Sequence, residues 1–332
     1  MRSSAAGGTA LASNPNLIAV SGASGFVGSA LVDELAGSAS HVCRALFRLQ
    51  PASISPLVDA RVVGDLAIAT DLKEALRGVD VLVHAAARAH VLNDAETNPL
   101  EAYRHINVAG TERIARAAIA AGVRRFVYIS SIGVNGKRNF EQRFTEADEP
   151  APVDDYGRTK WEAEQKLQGF ARSSDLELVI LRPPLVYGPY VKGNVARLMR
   201  IIARGIPLPL ASVDNQRSMI GLGNLVSAIV TAAEHPRARG RTFLVSDQHD
   251  LSTPELIRLI ARALGRVPNL WPFPPSLLFA AGRITGRSAE VERLAGSLRI
   301  DSSAFTEATG WRPSVPIESE IARMVEASGL KR

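Results

Sequence analysis

The sequence predicts an α/β chain wound around a parallel sheet with helices on both faces, and three observations predict it. Between residues 17 and 182, short β-branched runs alternate with longer helical patterns, the signature of consecutive βαβ units. The first run leads directly into Gly22-Ala23-Ser24-Gly25-Phe26-Val27-Gly28, a glycine-rich turn that opens a helical pattern. After Arg182 the prolines multiply, at Pro183, Pro184, Pro189, Pro207 and Pro209 and again between 268 and 275, which marks irregular, pocket-shaping structure. The expected fold is a Rossmann-type doubly wound parallel sheet with a smaller, mostly C-terminal substrate-binding domain.

In chain order, strands are expected at 17–21, 42–47, 61–63, 79–84, 125–129 and 178–181, each a short apolar or β-branched run. Helices are expected between them at 27–35, 72–76, 103–121 and 156–171. Residues 222–233 read as an amphipathic helix and 242–245 as a strand that could rejoin the main sheet. The nucleotide-binding domain is therefore expected to take 16–182 and about 218–247, and the second domain 183–217 and about 248–330. The Ser-, Ala- and Gly-rich stretch 1–15 reads as a disordered leader, too weakly apolar for a secretory signal. The segment 270–282 reads as a packed, proline-rich loop and helix.

Composition narrows the class. With 332 residues, 46% of them hydrophobic, the chain can bury a sizeable core in one compact body. Cys43 stands alone, so no intrachain disulfide forms, which suits a reducing cytoplasm. No apolar run is long enough to span a membrane. The net charge is +6, yet the arginines are scattered without an aromatic-studded basic stripe, so a nucleic-acid partner is not expected. An anionic small molecule is the simpler beneficiary, and no metal site is expected.

Several residues carry candidate chemistry. Gly22, Gly25 and Gly28, with Ser24, Phe26 and Val27 between them, form a turn where unpaired N–H groups and a helix dipole would meet a pyrophosphate. At the end of the second strand, Phe47 stands about where a ribose-binding carboxylate belongs, with Arg48 beside it. Without the acid and with a guanidinium at hand, NADP(H) is favoured as cofactor and NAD(H) stays possible. Asp65-Leu66 suits an adenine contact, with helix capping by Asp65 as the structural alternative. His84-Ala85-Ala86-Ala87 ends the fourth strand with side chains small enough for a cofactor to lie across the backbone. Tyr156 and Lys160 share one helix face, where an ammonium would favour the ionised phenol.

In this order, with Asn107-Val108-Ala109-Gly110-Thr111, Ser130-Ser131, Arg182-Pro183, Val186-Tyr187-Gly188-Pro189 and Arg217, the chain resembles an extended short-chain dehydrogenase/reductase of the NAD-dependent epimerase/dehydratase family. The likeness runs from about residue 17 to 318. It implies that Tyr156 is the acid/base, that Ser131 holds the same sugar oxygen, and that Lys160 binds the nicotinamide ribose. It implies that Asn107 orients groups behind the site, with a local helix bond as its alternative, and that Pro183 lines the cofactor. It implies a UDP-sugar partner, with Arg217 and Asn194 toward the diphosphate and Tyr187 in the same pocket, a structural role being the alternative for Tyr187 and Asn194. Homodimerisation through the helices at 103–121 and 156–171 is the analogous assembly.

The departures matter too. Ile132 and Gly133 stand where a 4,6-dehydratase carries an Asp-Glu pair. The missing acid after the second strand suits a cofactor that comes and goes. Together these point to a cytoplasmic NADPH-dependent reductase of a UDP-4-keto-6-deoxy-N-acetylhexosamine in O-antigen or capsule synthesis. A UDP-hexose 4-epimerase with resident NAD is the alternative, and a non-catalytic NADP-sensing regulator the second.

Overall fold

The computed structural model describes residues 16–89, 98–139, 142–286 and 288–331, apart from the side chain at 289. The expected leader at 1–15 lies outside them. Seven parallel strands form the main sheet, in the order β3-β2-β1-β4-β5-β6-β9. They are β1 (Asn16–Ser21), β2 (His41–Phe47), β3 (Val58–Val62), β4 (Val81–His84), β5 (Arg125–Ile129), β6 (Glu177–Arg182) and β9 (Arg241–Leu244). The central strands β1, β4, β5 and β6 are buried over most of their length because helices cover both faces. On one face α1 (Phe26–Gly37) and α7 (Leu222–Glu234) share a core with Val20, Val83, Val127 and Leu181. On the other α2 (Leu72–Ala75), α4 (Thr111–Ala121) and α5 (Asp155–Arg172) pack on Leu82, Phe126, Tyr128 and Ile180. Alternate residues of each strand feed alternate cores.

β1 pairs with both β2 and β4, so the strand order reverses beside it. That reversal opens a crevice at the carboxyl ends of β1 and β4. The expected strands are all present. β3 begins three residues before the expected 61, with its Asp59 side chain paired to Arg44 of β2 at 2.7 Å. The expected helix at 103–121 is broken: α3 (Pro99–Arg104) passes through a π-helical turn at His105–Gly110 before α4 begins.

After β6 the chain builds a second sheet from β7 (Leu185–Tyr187), β8 (Arg217–Gly221) and β10 (Asp250–Leu251), in the order β10-β8-β7. α6 (Gly193–Ala203), α8 (Thr253–Ala263) and α12 (Ile317–Ala327) enclose a third core around Met199, Ile257 and Met324. Between them α9 (Pro275–Ile284), α10 (Ser288–Ala295) and α11 (Ser303–Thr309) complete the fold, α9 starting within the expected proline-rich stretch and running two residues past it. β8 belongs to this small sheet, so the return to the main sheet starts at Leu222, where α7 follows β8 without a break, rather than at 218. No helix among the described residues is long and apolar enough to cross a membrane. Cys43 is buried in β2, and its thiol is pushed up to about 11 by burial, which leaves it inert.

Candidate active site

The glycine-rich turn sits at the crevice. Gly22 follows β1 with φ 74°, a left-handed conformation open to glycine. A Cβ there would meet the Ala86 backbone nitrogen at 2.6 Å, so the turn and the residues after β4 are in backbone contact. A Cβ on Gly28 would fall 2.1 Å from the Gly22 carbonyl oxygen, which locks α1 against the turn. Gly25 caps α1 with no side-chain hydrogen bond, and Ser24 is exposed at the tip of the turn. The first N–H groups of α1 and its positive dipole end therefore face the crevice with no side chain folded over them. Phe26 and Val27 turn into the core below. This cradle fits a dinucleotide pyrophosphate. Ala85 and Ala86 are half-buried and Ala87 exposed along its wall, with the Ala85 N–H donating to the Ser21 carbonyl at 3.1 Å.

At the far end of the crevice Phe47 is buried in the core and Arg48 is exposed. Asp65 accepts from Ala67 N–H at 2.9 Å and lies 3.3 Å from His105 Nε2. These bonds, with the nearby charge of Arg48, hold its carboxyl below the usual carboxylate range. Asp65 thus caps the turn at 66–68 and no helix starts there, unlike the helix-capping alternative. Leu66 packs on Gly110 of the π-turn, where a Cβ would approach it to 3.4 Å.

The reacting end is built where β5, β6 and α5 meet. Ser131 follows β5 in extended conformation, and its Oγ accepts from Gly133 N–H at 3.1 Å. The Ile132 N–H donates to the Pro183 carbonyl at 2.9 Å, joining the ends of β5 and β6. Asp154 caps α5 by accepting from Gly157 N–H at 2.7 Å, which sets Tyr156 in the first turn. Lys160, fully buried one turn on, donates to the Ile129 carbonyl at 2.6 Å and lies 4.0 Å from the centre of the Tyr128 ring. A further turn along, buried Glu164 accepts from Arg182 through both oxygens, at 3.0 and 2.6 Å, and from Ser130. Ser130 is thereby spent on structure, whereas Ser131 is half-buried.

The electrostatics bear on the pairing of Tyr156 with Lys160. Burial pushes the Tyr156 phenol up to about 12, with Asp154 and Tyr103 adding to the rise. Burial also brings the Lys160 ammonium down to about 7, against the pull of Glu164. A lysine only partly charged at neutral pH is a weak partner for a phenolate, so in the protein alone Tyr156 keeps its proton.

Asn107, buried in the π-turn, accepts from Arg88 N–H at 2.8 Å and donates to the Arg88 carbonyl at 3.2 Å and to Thr159 Oγ1 at 3.1 Å. Thr159 in turn donates to the Tyr156 carbonyl at 3.0 Å. Asn107 thus fastens the segment after β4 to the first turn of α5, a tertiary role in place of the local helix bond.

In the second half, Arg217 begins β8 and donates to the Gly296 carbonyl at 2.9 Å. Burial holds its guanidinium below the usual arginine range, which an anion at the same place would reverse. Asn215, buried beside it, fixes this stretch through Gly296 and Thr253. Leu298, bridged to Arg217, shares an apolar cluster with Ile132. Asn194 is exposed in the first turn of α6, whose N-terminus carries no side-chain cap. Tyr187 is different: it is buried and donates its hydroxyl to Asp247 at 2.7 Å, in a cluster with Gly221 and Asn224. Its place is structural, not toward a substrate. Ile132, at the first dehydratase position, is turned into an apolar cluster with Leu244, Leu298 and Ile300.

Sequence reasoning missed Gly157, Thr159 and Glu164. Their signal was available in the spacing around Tyr156 and Lys160: a glycine beside the tyrosine, and a carboxylate four residues beyond the lysine.

Comparison with known proteins bears on this geometry. The family model described as "NAD dependent epimerase/dehydratase family" matches residues 18–246. A Vibrio cholerae protein named UDP-glucose 4-epimerase is 42% identical over 315 residues, covering 94% of this chain and 95% of its own. N-acetyl-alpha-D-glucosaminyl-diphospho-ditrans,octacis-undecaprenol 4-epimerase from Escherichia coli O157:H7 is 27% identical, covering 87% and 88%. Among solved structures, MoeE5 in complex with UDP-glucose and NAD superposes with TM-score 0.72 at 25% identity, covering 94% of this chain and 98% of that one. UDP-glucuronic acid 4-epimerase from Bacillus cereus in complex with NAD shares the fold, with TM-score 0.77 at 19% identity and the same coverage of 94% and 98%.

Proposed function

The chain belongs to the NAD dependent epimerase/dehydratase family, and from that premise we propose that it moves hydride at C4 of a UDP-linked hexose, its specific reaction being NADPH-dependent reduction of a 4-keto-6-deoxy-N-acetylhexosamine. The observation that carries the reading is the place of Tyr156, in the first helical turn packed against the turn that presents Ser131. A carbonyl being reduced needs a proton at its oxygen, and a phenol that keeps its proton at neutral pH is a donor.

A bound nicotinamide supplies or accepts the hydride. Backbone N–H groups of the turn holding Gly22, Ser24, Gly25, Phe26, Val27 and Gly28 bind its pyrophosphate. Leu66, Ala85, Ala86, Ala87 and Pro183 flank the dinucleotide, and Lys160 binds the nicotinamide ribose hydroxyls. Ser131, whose oxygen already accepts from Gly133, donates a hydrogen bond to the sugar O4 and keeps its proton. Tyr156 donates a proton to the same oxygen as C4 gains hydride, and solvent returns that proton before the next turnover. Arg217 and Asn194 hold the diphosphate. Arg48, with no carboxylate at Phe47, favours the 2′-phosphate of NADPH.

A second reading, 4-epimerisation with resident NAD, is supported by the Vibrio cholerae relative's name and by the NAD in MoeE5. There Tyr156 would take a proton first and return it after the keto sugar has turned over. Dehydration is not supported, because Ile132 faces the core.

One pair of measurements separates the readings. Freshly purified protein is heated and the supernatant assayed for nucleotide, then the protein is given NADPH with a UDP-4-keto-6-deoxy-N-acetylhexosamine. Consumption of NADPH with little released NAD supports the reductase. Stoichiometric NAD, with interconversion of UDP-hexose epimers and no NADPH consumption, overturns it.

A further inference from the structure

Ser21, His84, Thr111 and Asn107 are all but completely buried and form one continuous polar chain. Ser21 Oγ lies 2.6 Å from His84 Nδ1, and His84 Nε2 lies 2.8 Å from Thr111 Oγ1. Thr111 Oγ1 lies 2.7 Å from the Asn107 carbonyl oxygen. A carbonyl can only accept, so the single Thr111 hydroxyl proton goes to Asn107. The Thr111 oxygen is then the acceptor toward the ring, and His84 Nε2 must carry the hydrogen. Nδ1 is consequently bare and accepts from Ser21. Every proton in the chain points the same way, from the end of β1 toward the π-turn.

We propose that His84, locked as its Nε2–H tautomer, is a positioning residue whose one-way hydrogen-bond relay ties the glycine-rich turn to Asn107 and through it to Tyr156. Ser21 immediately precedes Gly22, and His84 immediately precedes the alanines that line the cleft. Asn107 lies within the π-turn and Thr111 directly follows it, a distortion that recurs at functional sites. The Asn107 side chain then grips Arg88 and Thr159, and Thr159 holds the Tyr156 carbonyl. The relay thus spans both walls of the crevice and the helix that bears the acid. Burial, with the charge of Lys160 added, keeps the ring neutral, its pKa held down to about 3. A protonated ring would place a donor against Ser21 and break the direction of the chain.

This inference rests on Tyr156 as the acid, so its test reads the ring as well as the reaction. The protein is labelled with 15N-histidine, and the His84 ring signals are identified by their loss in His84→Phe. Long-range 1H–15N correlation is expected to show Nε2 protonated and Nδ1 bare from about pH 6 to about pH 8. An Nδ1–H tautomer, or an imidazolium, overturns the relay. In parallel, Thr111→Val should lower kcat by about 10- to 100-fold with unchanged cofactor affinity, and Thr111→Ser should recover most of the loss. Wild-type kcat in Thr111→Val, or equal losses in both variants, overturns the positioning role. If the unmodified protein turns over no UDP-sugar, the functional reading fails, and the ring signals still decide the relay.

Discussion

Gly133 and Gly157 meet across the floor of the site: a Cβ on Gly157 would lie 2.4 Å from the Gly133 carbonyl oxygen. That contact presses the first turn of α5, and so Tyr156, against the turn that presents Ser131. Gly157→Ala must move one of two backbones, at a cost of about 1–3 kcal/mol. Thermal unfolding should register the loss, and kcat should fall by roughly tenfold or more as the two hydroxyls part. Gly133→Ala should be milder, since its Cβ would meet Ser131 Oγ at 3.3 Å and Gly157 Cα at 3.7 Å.

Tyr156→Phe removes the proton donor and little else, because Asp154 and Thr159 hold this turn through its backbone. Turnover is expected to drop by about 10²- to 10⁴-fold. Cofactor affinity, followed by fluorescence titration, should stay nearly intact. Retained turnover would remove the phenol from the mechanism.

The buried Lys160 makes stability depend on pH in an unusual direction for a lysine. Its folded pKa of about 7 lies below the ordinary 10.5, so between those values the unfolded chain binds more protons. Stability from this group therefore rises with pH through the window and is lowest below it, by up to about 1.4 kcal/mol per pH unit. Lys160→Met abolishes that titration. Urea unfolding should show the variant losing ground to wild type as pH rises from about 7 to about 9. A difference that stays constant would mean the ammonium is charged throughout.

Arg48→Ala tests cofactor choice. A charged hydrogen bond to the 2′-phosphate contributes about 1.5–3 kcal/mol, so NADPH affinity should weaken by roughly ten- to a hundredfold while NADH affinity barely moves. Equal effects on both would return the assignment to NAD.

Much of this architecture was legible because parallel strands, buried on both faces, leave unbroken apolar runs such as residues 126–129. The glycine-rich turn was equally plain, since a Cβ on Gly28 or Gly22 would lie 2.1 or 2.6 Å from neighbouring backbone atoms, which leaves no choice of residue. The break at His105–Gly110 was not. A single extra residue in a helical turn barely disturbs apolar periodicity, and Ile114 and Ala118 stay in phase beyond it. The small sheet escaped too, because β7 and β10 are three and two residues long, below the length at which alternation can be read. In the site, Tyr156 and Lys160 were visible as a spacing, but their electrostatics were not. Burial decides both, and burial belongs to the fold. Tyr187 was misread for the same reason: only the fold shows Asp247 waiting for its hydroxyl.

The last strand of the main sheet, β9, arrives 58 residues after β6 ends and docks alongside it. On a ribosome, synthesis from the N-terminus delivers six strands while the outer edge of β6 still lacks its neighbour, and all but one of its six residues are apolar enough or paired enough to be buried in the finished protein. An unsheltered parallel edge of that kind invites association with other chains. The nascent protein therefore passes through a vulnerable interval that closes only when residues 241–244 emerge, and truncations within the intervening stretch should be recovered as aggregates rather than as a free nucleotide-binding unit.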